Sequence, residues 1–206
     1  MSLMGIDIGT TGTKAIIFSE EGKVLANSYL EYNLLFPKPG WVEFDTEDMW
    51  EKVFDVIEKV NSERPVLGDP VSALAVSTMG ESFTPIDEKG DILYNTIYSS
   101  DSRSVNELEY MVSVIPAKDL YYITGLPPQF VTALNKILWV KSNLPEIFRK
   151  TDKILFTEEL FHHKLGIRDY KINYPLACTS LFFDLREKKW SKKILDAFDL
   201  DSDLFA

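Results

Sequence analysis

A strand–turn–strand pattern near the start of the chain constrains its fold more than any other feature. Residues 5–24 read GIDIGTTGTKAIIFSEEGKV, in which a turn of glycines, threonines and one lysine separates two short apolar runs. Gly22 marks a second turn, where glycine suits a left-handed backbone, and a third run, VLANSYLEY, follows it. The pattern predicts a three-stranded antiparallel meander with GTTGTK at its first turn.

Helical periodicity follows the meander. Residues 45–62 carry apolar residues at helical spacing, and Asp45 or Thr46 can cap this helix. We expect the following stripe in the core: Met49, Trp50, Val53, Phe54, Ile57 and Val60. The next segment, VSALAVST (71–78), is typical of a buried strand, and TPIDEKGDIL predicts strand–turn–strand around Gly90.

The second half of the chain is mostly helical. Helices are predicted over 102–115, in LNKILWVKSN before Pro145, in TEELFHHKLG and in SKKILDAFDL. Thr157 should cap the third of these helices and Gly166 should close it. Because hairpin strands pair antiparallel and strands separated by a helix usually pair parallel, the order predicts an α/β fold with a mixed sheet.

Charge and composition exclude several classes of partner. The 206 residues carry 22 basic and 32 acidic side chains, a net charge of −10, which disfavours binding to nucleic acid or to an anionic membrane. No apolar run approaches the roughly 20 residues of a membrane-spanning helix. The single cysteine, Cys178, excludes an intramolecular disulfide and favours a reducing cytoplasm.

The first turn has the composition of a phosphate-binding loop. Backbone N–H groups can converge on an anion only where side chains are small, and threonine hydroxyls and a lysine add donors. The candidate residues are Gly9, Thr10, Thr11, Gly12, Thr13 and Lys14. The spacing is not that of a Walker A loop, and the element that follows is a strand rather than the helix of a dinucleotide-binding fold.

Asp7 precedes this turn and would repel phosphate unless a cation lay between them. Mg²⁺ binds one or two carboxylates together with phosphate oxygens, so Asp7 is the candidate metal ligand. The alternative is an ordinary hairpin turn in which Asp7 and the threonines bond nearby backbone groups. The turn by itself leaves both interpretations open.

Other conspicuous side chains have structural explanations. His162 and His163 are adjacent on a helix, point about 100° apart and have no evident third ligand, so they make a poor metal pair. Cys178 lies among small and apolar residues and should be a buried thiol. Trp139 and Trp190 lie in apolar patterns and should be packing residues.

Successive segments of the chain resemble one known family. GIDIGTTGTKAIIF resembles the first phosphate motif of the sugar kinase, actin and heat-shock ATPase superfamily. Further segments resemble its FGGY carbohydrate kinase branch, in order: GWVEFDTEDMWEKV, VSALAVSTMGESFTPIDEKGDIL, SSDSR, NKILWVKSNLPEIF and CTSLFFDLREKKW. The resemblance covers nearly the whole chain and implies a ribonuclease H-like domain at residues 1–206. In that family, ATP and sugar meet in a cleft against a second such domain.

The resemblance also implies roles for particular residues. Asp7 falls on the family's Mg²⁺ position, and Thr10, Thr11 and Lys14 fall on its phosphate contacts, which suits phosphoryl transfer because the charge on the transferred group must be neutralised.

A second group falls on the family's substrate side. Glu81 takes the substrate-contacting position after the central strand, and Asp101 and Arg103 take the acid and base of the W-x-D-x-R segment. Carboxylates suit a polyol because each accepts strong hydrogen bonds from hydroxyl groups. The alternative is an ion-pair network with no substrate role.

Some positions depart from the family pattern. Ser99 replaces the aromatic residue of W-x-D-x-R, and Gly80 stands where arginine or methionine is common. Ala133 stands where serine, threonine or proline is typical, and Val131 replaces a tyrosine of glycerol kinases. These differences disfavour glycerol kinase and leave the sugar open.

The family's general base, an aspartate in a G-x-x-D-Q-like motif, starts the second domain. Gln129 is the only glutamine here, so no Asp-Gln pair exists. We therefore expect no catalytic base in this chain, a C-terminal domain beyond Ala206, and no useful turnover by the chain alone. The implied cofactors are ATP and Mg²⁺. The implied partners are a small-molecule sugar or polyol and the chain's own C-terminal domain, with a homodimer left open.

Three functions are consistent with these observations. The favoured one is the N-terminal half of an ATP-dependent carbohydrate kinase. The second is a non-catalytic module of the same fold that senses sugar or nucleotide. The third is an actin-like filament protein, which predicts nucleotide-dependent assembly and leaves Glu81 and Asp101 without a purpose.

Overall fold

The computed structural model describes residues 1–63 and 69–206. The strands are β1 Ser2–Ile8, β2 Gly12–Ser19, β3 Val24–Glu31, β4 Leu34–Leu35, β5 Glu43–Phe44, β6 Val71–Thr78, β7 Phe83–Ile86, β8 Thr96–Ile97, β9 Lys153–Phe156, β10 Phe183–Asp184 and β11 Lys189–Trp190. The helices are α1 Thr46–Glu63, α2 Val105–Val114, α3 Ala117–Thr124, α4 Ala133–Asn143, α5 Pro145–Lys150, α6 Thr157–Lys164, α7 Tyr174–Thr179 and α8 Lys192–Ala197, and a 3₁₀ turn spans Ser202–Leu204. The chain forms two compact units, Met1–Leu34 with Phe44–Met79, and Leu35–Glu43 with Gly80–Ala206.

The first unit contains a four-stranded mixed sheet in the order β3-β2-β1-β6. β1 pairs antiparallel with β2, and β2 pairs antiparallel with β3, as the meander predicts. β1 pairs parallel with β6, which lies after α1 in the chain. The crossover through a helix thus produces the parallel pair, which confirms the predicted mixed sheet.

Helix α1 packs against β2 and β3. The Asp45 carboxylate accepts a hydrogen bond from the Asp48 N–H at 3.2 Å, so Asp45 rather than Thr46 caps the helix. The buried stripe is Met49, Trp50, Val53, Val56 and Val60. The prediction was wrong for Phe54, which is 36% exposed, and Ile57 is only half-buried. Val56 lies on the buried face instead, because residues three and four apart share one side of a helix.

The expectation that residues 71–78 form a buried strand was half right. They form β6, but none of its eight residues is buried, and Leu74 is 47% exposed. The physical reason is position: β6 lies at the edge of the sheet, whereas α1 covers the strands at the other side. An apolar run predicts a strand but does not say which strand will be covered.

The second unit is built on a sheet in the order β4-β5-β8-β7-β9. β7 pairs antiparallel with β8 and β9. The turn after β7 has Gly90 at φ +90°, as predicted, but the strand expected beyond it shrinks to a single bridge between Ile86 and Ile92. The core of this unit surrounds α4, whose residues 133–140 are all buried.

The helix ends follow the prolines and glycines as predicted, with one correction. α2 ends before Pro116, α4 ends before Pro145, and Gly166 follows α6 at φ +86°. Thr157, however, lies inside α6 and its hydroxyl has no hydrogen-bond partner among the described residues. Glu159 satisfies the end of the helix instead, because its carboxylate accepts from the Phe156 N–H at 2.9 Å. Within the two described ranges, no helix has the length and apolar character needed to cross a membrane.

Candidate phosphate turn and acceptor site

The β1–β2 turn holds the predicted phosphate-binding residues on one hairpin. The Gly9 N–H donates to the Gly12 carbonyl at 3.0 Å, which closes the turn. The Tyr32 hydroxyl contacts the carbonyls of Gly9 and Gly12, and the Thr13 hydroxyl donates to the Asp7 carbonyl at 3.1 Å. These contacts hold the backbone of the turn in place, while the side chains of Thr10 and Thr11 remain exposed.

Gly12 has no room for a side chain. A Cβ atom there would lie 2.4 Å from the Leu30 carbonyl oxygen and 2.6 Å from the Tyr29 hydroxyl oxygen. Only glycine allows β2 and β3 to approach so closely at this end. The small residues of the motif therefore have a structural explanation at Gly12, in addition to the functional one proposed for the turn.

Asp7 and Lys14 lie opposite each other on β1 and β2, and Ser77 of β6 is in register on the other side of Asp7. All three are exposed. They line one end of a shallow pocket of about 350 Å³, whose remaining walls are apolar. Among the described residues of the first unit, the Asp7 carboxylate has no hydrogen-bond or ion-pair partner. A solvated, unpaired carboxylate beside a turn with exposed hydroxyls fits a hydrated divalent cation and an anionic ligand.

Asp101 and Arg103 form a buried ion pair in the second unit. The Arg103 guanidinium lies 2.7 Å from the Asp101 carboxylate and 2.8 Å from that of Glu43, and both the Asp101 and Arg103 side chains are fully buried. Asp101 also accepts from the backbone N–H groups of Val42 and Arg103 at 2.5 and 2.9 Å. The guanidinium stacks 4.0 Å from the ring of Trp41. The hydrogen-bonding groups of the Asp101 and Arg103 side chains are therefore engaged by other groups of the protein.

Glu81 differs from that pair because it is half-buried and has no ion-pair partner among the residues that the structure describes. Its φ of +63° is unusual for a residue other than glycine, and such strain is typical of functional sites. Burial raises the pKa of the Glu81 carboxyl, and the nearby Lys136 partly opposes this rise. A Cβ on the neighbouring Gly80 would lie 3.5 Å from the Thr179 hydroxyl, so the end of α7 packs beside Gly80.

Lys136 of α4 is a buried charged residue whose pKa is affected by Glu81 and Asp101, and the sequence analysis did not single it out. It is 0% exposed, and its ammonium group donates to the carbonyls of Val131 and Thr132. Burial lowers its pKa to about 8, against the raising effects of Glu81 and Asp101. The only signal in the sequence was its place at the head of the K-x-x-W pattern that ends at Trp139, and a lysine in a helix is usually exposed.

The remaining conspicuous residues are structural. The His163 ring lies 2.9 Å from the Gly90 carbonyl and 2.7 Å from the Tyr170 hydroxyl, and burial together with Arg168 lowers its pKa. In the described part of the chain, no three His, Cys, Asp or Glu side chains are grouped to hold a metal ion.

The tryptophans and the cysteine were also expected to pack. Trp139 lies in the core, and the half-buried Trp190 stacks on Phe182 at 4.7 Å, so both tryptophans are packing residues. Cys178 is half-buried rather than buried, and its desolvation raises the thiol pKa.

Comparison with known structures establishes the class of fold. The chain superposes on a crystal structure of Plasmodium falciparum glycerol kinase with ADP at a TM-score of 0.90 and 21% identity, over 99% of this chain and 42% of that one. At this identity the likeness shows the fold alone, and it confirms the expected ribonuclease H-like domain.

The family follows from the sequence. Residues 2–206 match the N-terminal domain of the FGGY family of carbohydrate kinases, and the chain belongs to this family. This chain is 30% identical to the xylulose kinase of Escherichia coli K12 and 27% identical to the glycerol kinase of Haloferax volcanii. Each match covers 97% of this chain. The chain spans 40% of the length of the xylulose kinase and 42% of the length of the glycerol kinase.

Proposed function

We propose that this chain is the N-terminal domain of an ATP-dependent carbohydrate kinase, which transfers the γ-phosphoryl group of ATP to a hydroxyl of a sugar or polyol. The observation that carries the proposal is the β1–β2 turn, where an unpaired carboxylate precedes a close-packed glycine turn with exposed hydroxyls. Membership of the FGGY family supports it, as does the ADP in the Plasmodium structure.

The turn would hold the phosphates of the nucleotide. Its exposed threonines and Lys14 offer hydroxyl and ammonium donors, and its backbone is held by Tyr32, so little conformational freedom would be lost on binding. The phosphate-binding residues are Gly9, Thr10, Thr11, Gly12, Thr13 and Lys14. Asp7 would hold Mg²⁺, and the ion would supply charge neutralisation on the phosphoryl oxygens.

The acceptor sugar would bind in the second unit at Glu81. Its half-buried carboxylate can accept hydrogen bonds from the sugar hydroxyls, and such bonds are strong because the carboxylate is charged. Asp101 and Arg103 would shape this site rather than offer free bonds to the ligand, because their bonds are satisfied by each other, by Glu43 and by the backbone. They also place the Trp41 ring against the guanidinium.

The general base would come from outside the printed sequence. The relatives are more than twice as long as this chain, and we propose that a second domain supplies the base and completes the cleft. The relatives' names include both xylulose kinase and glycerol kinase, so either a ketose or a polyol fits as acceptor. A cytoplasmic location fits a metabolic kinase of this family.

Replacing Asp7 in the complete protein tests the proposal. Asp7→Asn should lower kcat by roughly 100-fold or more, because the lost carboxylate acts on charge that develops in the transition state. The sugar KM should change much less, since Asp7 is not placed among the acceptor residues. A coupled ADP-release assay over a range of Mg²⁺ concentrations measures both quantities.

Asp55→Asn serves as the matched control, because Asp55 is an exposed aspartate of the same unit on α1. It should leave kcat, KM and the Mg²⁺ dependence unchanged. Equal kinetics for Asp7→Asn and the parent protein would contradict the proposed role of the turn.

A further inference from the structure

The loop before α4 is held by an unusual number of side-chain hydrogen bonds. Four consecutive carbonyls, those of residues 129–132, each accept from a side chain that follows them. The Thr132 hydroxyl shares its one proton between the Gln129 carbonyl at 2.9 Å and the Asn135 Oδ1 atom at 2.7 Å. The Asn135 amide donates to the Phe130 carbonyl at 3.0 Å, and the Lys136 ammonium donates to the carbonyls of Val131 and, at 3.4 Å, Thr132. Loop backbones are ordinarily solvated and variable, so the fixed conformation of residues 129–132, called the pinned loop below, is a specific feature of this protein.

The pinned loop belongs to the neighbourhood of the acceptor residues. Asn135 donates to the Ser104 hydroxyl at 2.7 Å, which ties the start of α4 to the residue after Arg103. The Leu134 N–H donates to the Ser180 carbonyl at 3.1 Å, at the end of α7, which packs beside Gly80. The start of α4 is therefore connected to both sides of the proposed acceptor site.

Lys136 is the only charged group among the three pinning residues. It is fully buried, and a buried ammonium costs free energy unless it is compensated. The charged groups that act on it are Glu81 and Asp101, which attract it, and Arg103, which repels it. Asp101 and Arg103 compensate each other at 2.7 Å, with Glu43 also on the guanidinium. The Lys136 ammonium is therefore attracted both by Glu81 and by the Asp101–Arg103–Glu43 group, in which two carboxylates share one guanidinium.

We propose that Lys136 is a positioning residue of the acceptor site: it holds the loop of residues 129–132 in place and supplies a buried positive charge near Glu81. This rests on the proposed function, in which Glu81 receives the acceptor hydroxyls. Lys136 itself does not contact the acceptor, because its side chain is buried. It acts through the loop backbone and through the charge of Glu81.

Two variants in the complete protein separate these two actions. Lys136→Met removes both the carbonyl bonds and the charge, and should raise the acceptor KM by roughly tenfold while the KM for ATP stays unchanged. Lys136→Gln keeps an amide that can donate to the carbonyls but removes the charge. In both variants the acidic limb of the kcat/KM profile should move to higher pH, because Glu81 loses its attracting partner.

Lys141→Met is the matched control. Lys141 lies on the same helix and also donates to two backbone carbonyls, those of Phe198 and Asp199. Its loss should lower thermal stability in the same direction without moving the acceptor KM or the pH profile. If Lys136→Met and Lys141→Met behave alike in both kinetic readouts, Lys136 is a packing residue and the inference is wrong.

A readout without turnover keeps the inference distinct from the proposed kinase activity. Carboxyl ¹³C NMR of Glu81 should show titration at higher pH in Lys136→Gln than in the parent protein and in Lys141→Met. An unchanged Glu81 titration would overturn the inference even in an active kinase. The expected shift would uphold the Lys136–Glu81 coupling even if no sugar released ADP, a result that would refute only the proposed function.

Discussion

At the scale of single residues, Glu159 is a buried carboxyl group outside the proposed site. It is 0% exposed, one oxygen accepts from the Phe156 N–H, and the other has no hydrogen-bond partner among the described residues. Burial raises its pKa to about 7, against the lowering effect of the Phe156 hydrogen bond, and Glu158 adds to the rise. The native protein therefore binds this proton more tightly than the unfolded chain does.

This difference predicts a pH-dependent stability. Between the unfolded pKa near 4.5 and the folded pKa near 7, the native state holds more protons, so the free energy of unfolding falls as the pH rises through this window. Glu159→Gln, which is neutral at every pH, should raise the free energy of unfolding at pH 8 by roughly 1–3 kcal/mol and change it little at pH 4. Urea unfolding at the two pH values measures this.

The control is Glu109→Gln, which changes an exposed glutamate on α2. It should shift stability by only a few tenths of a kcal/mol at either pH. A stabilisation by Glu159→Gln that is equal at pH 4 and pH 8 would show that burial of the charge is not the cause.

At the scale of elements, the β1–β2 hairpin depends on the close approach at Gly12. Gly12→Ala places a Cβ 2.4 Å from the Leu30 carbonyl, a backbone atom that cannot move without disturbing β3. We expect a loss of roughly 1–3 kcal/mol in the free energy of unfolding, as in other overpacked sites.

Gly5→Ala is the matched control on the same hairpin. Its Cβ would meet the Phe18 ring at 3.6 Å, an ordinary contact, so the substitution should be neutral or slightly stabilising. Chemical denaturation of the two variants measures the difference. If both are tolerated equally, close packing does not explain the glycine at position 12.

The elements that the sequence predicts well are those with a local cause. The meander, α1 and the helix ends at Pro116 and Pro145 follow from periodicity and turn residues, and the structure confirms them. The exposure of β6 depends on its place in the sheet, and the ion pair of Arg103 depends on Glu43, which lies far away in the chain, so no local pattern contains either. Lys136 was missed for the same reason, since its burial results from tertiary packing.

Short elements also could not be predicted from local sequence patterns. β9 has four residues and α7 has six, lengths at which a strand and a buried helix cannot be told apart by periodicity. Both nevertheless contribute to the second unit, since β9 pairs with β7 and α7 packs beside Gly80.

At the scale of the whole molecule, the chain is a family member that spans 40% of the length of the Escherichia coli relative and 42% of that of the Haloferax volcanii relative. Its first unit contains the turn that we propose binds the nucleotide, and its second unit contains Glu81 and the loop of residues 129–132 that Lys136 holds. Phosphoryl transfer needs both reactants held in line and shielded from water, which we assign to the complete protein.

The most direct test of this account is a crystal structure of the complete protein with Mg²⁺ and a non-hydrolysable ATP analogue. We expect phosphate oxygens within hydrogen-bond distance of the N–H and hydroxyl groups of residues 9–14, with the ion bound to the Asp7 carboxylate directly or through water. A triphosphate bound elsewhere, with the β1–β2 turn open to solvent, would contradict it.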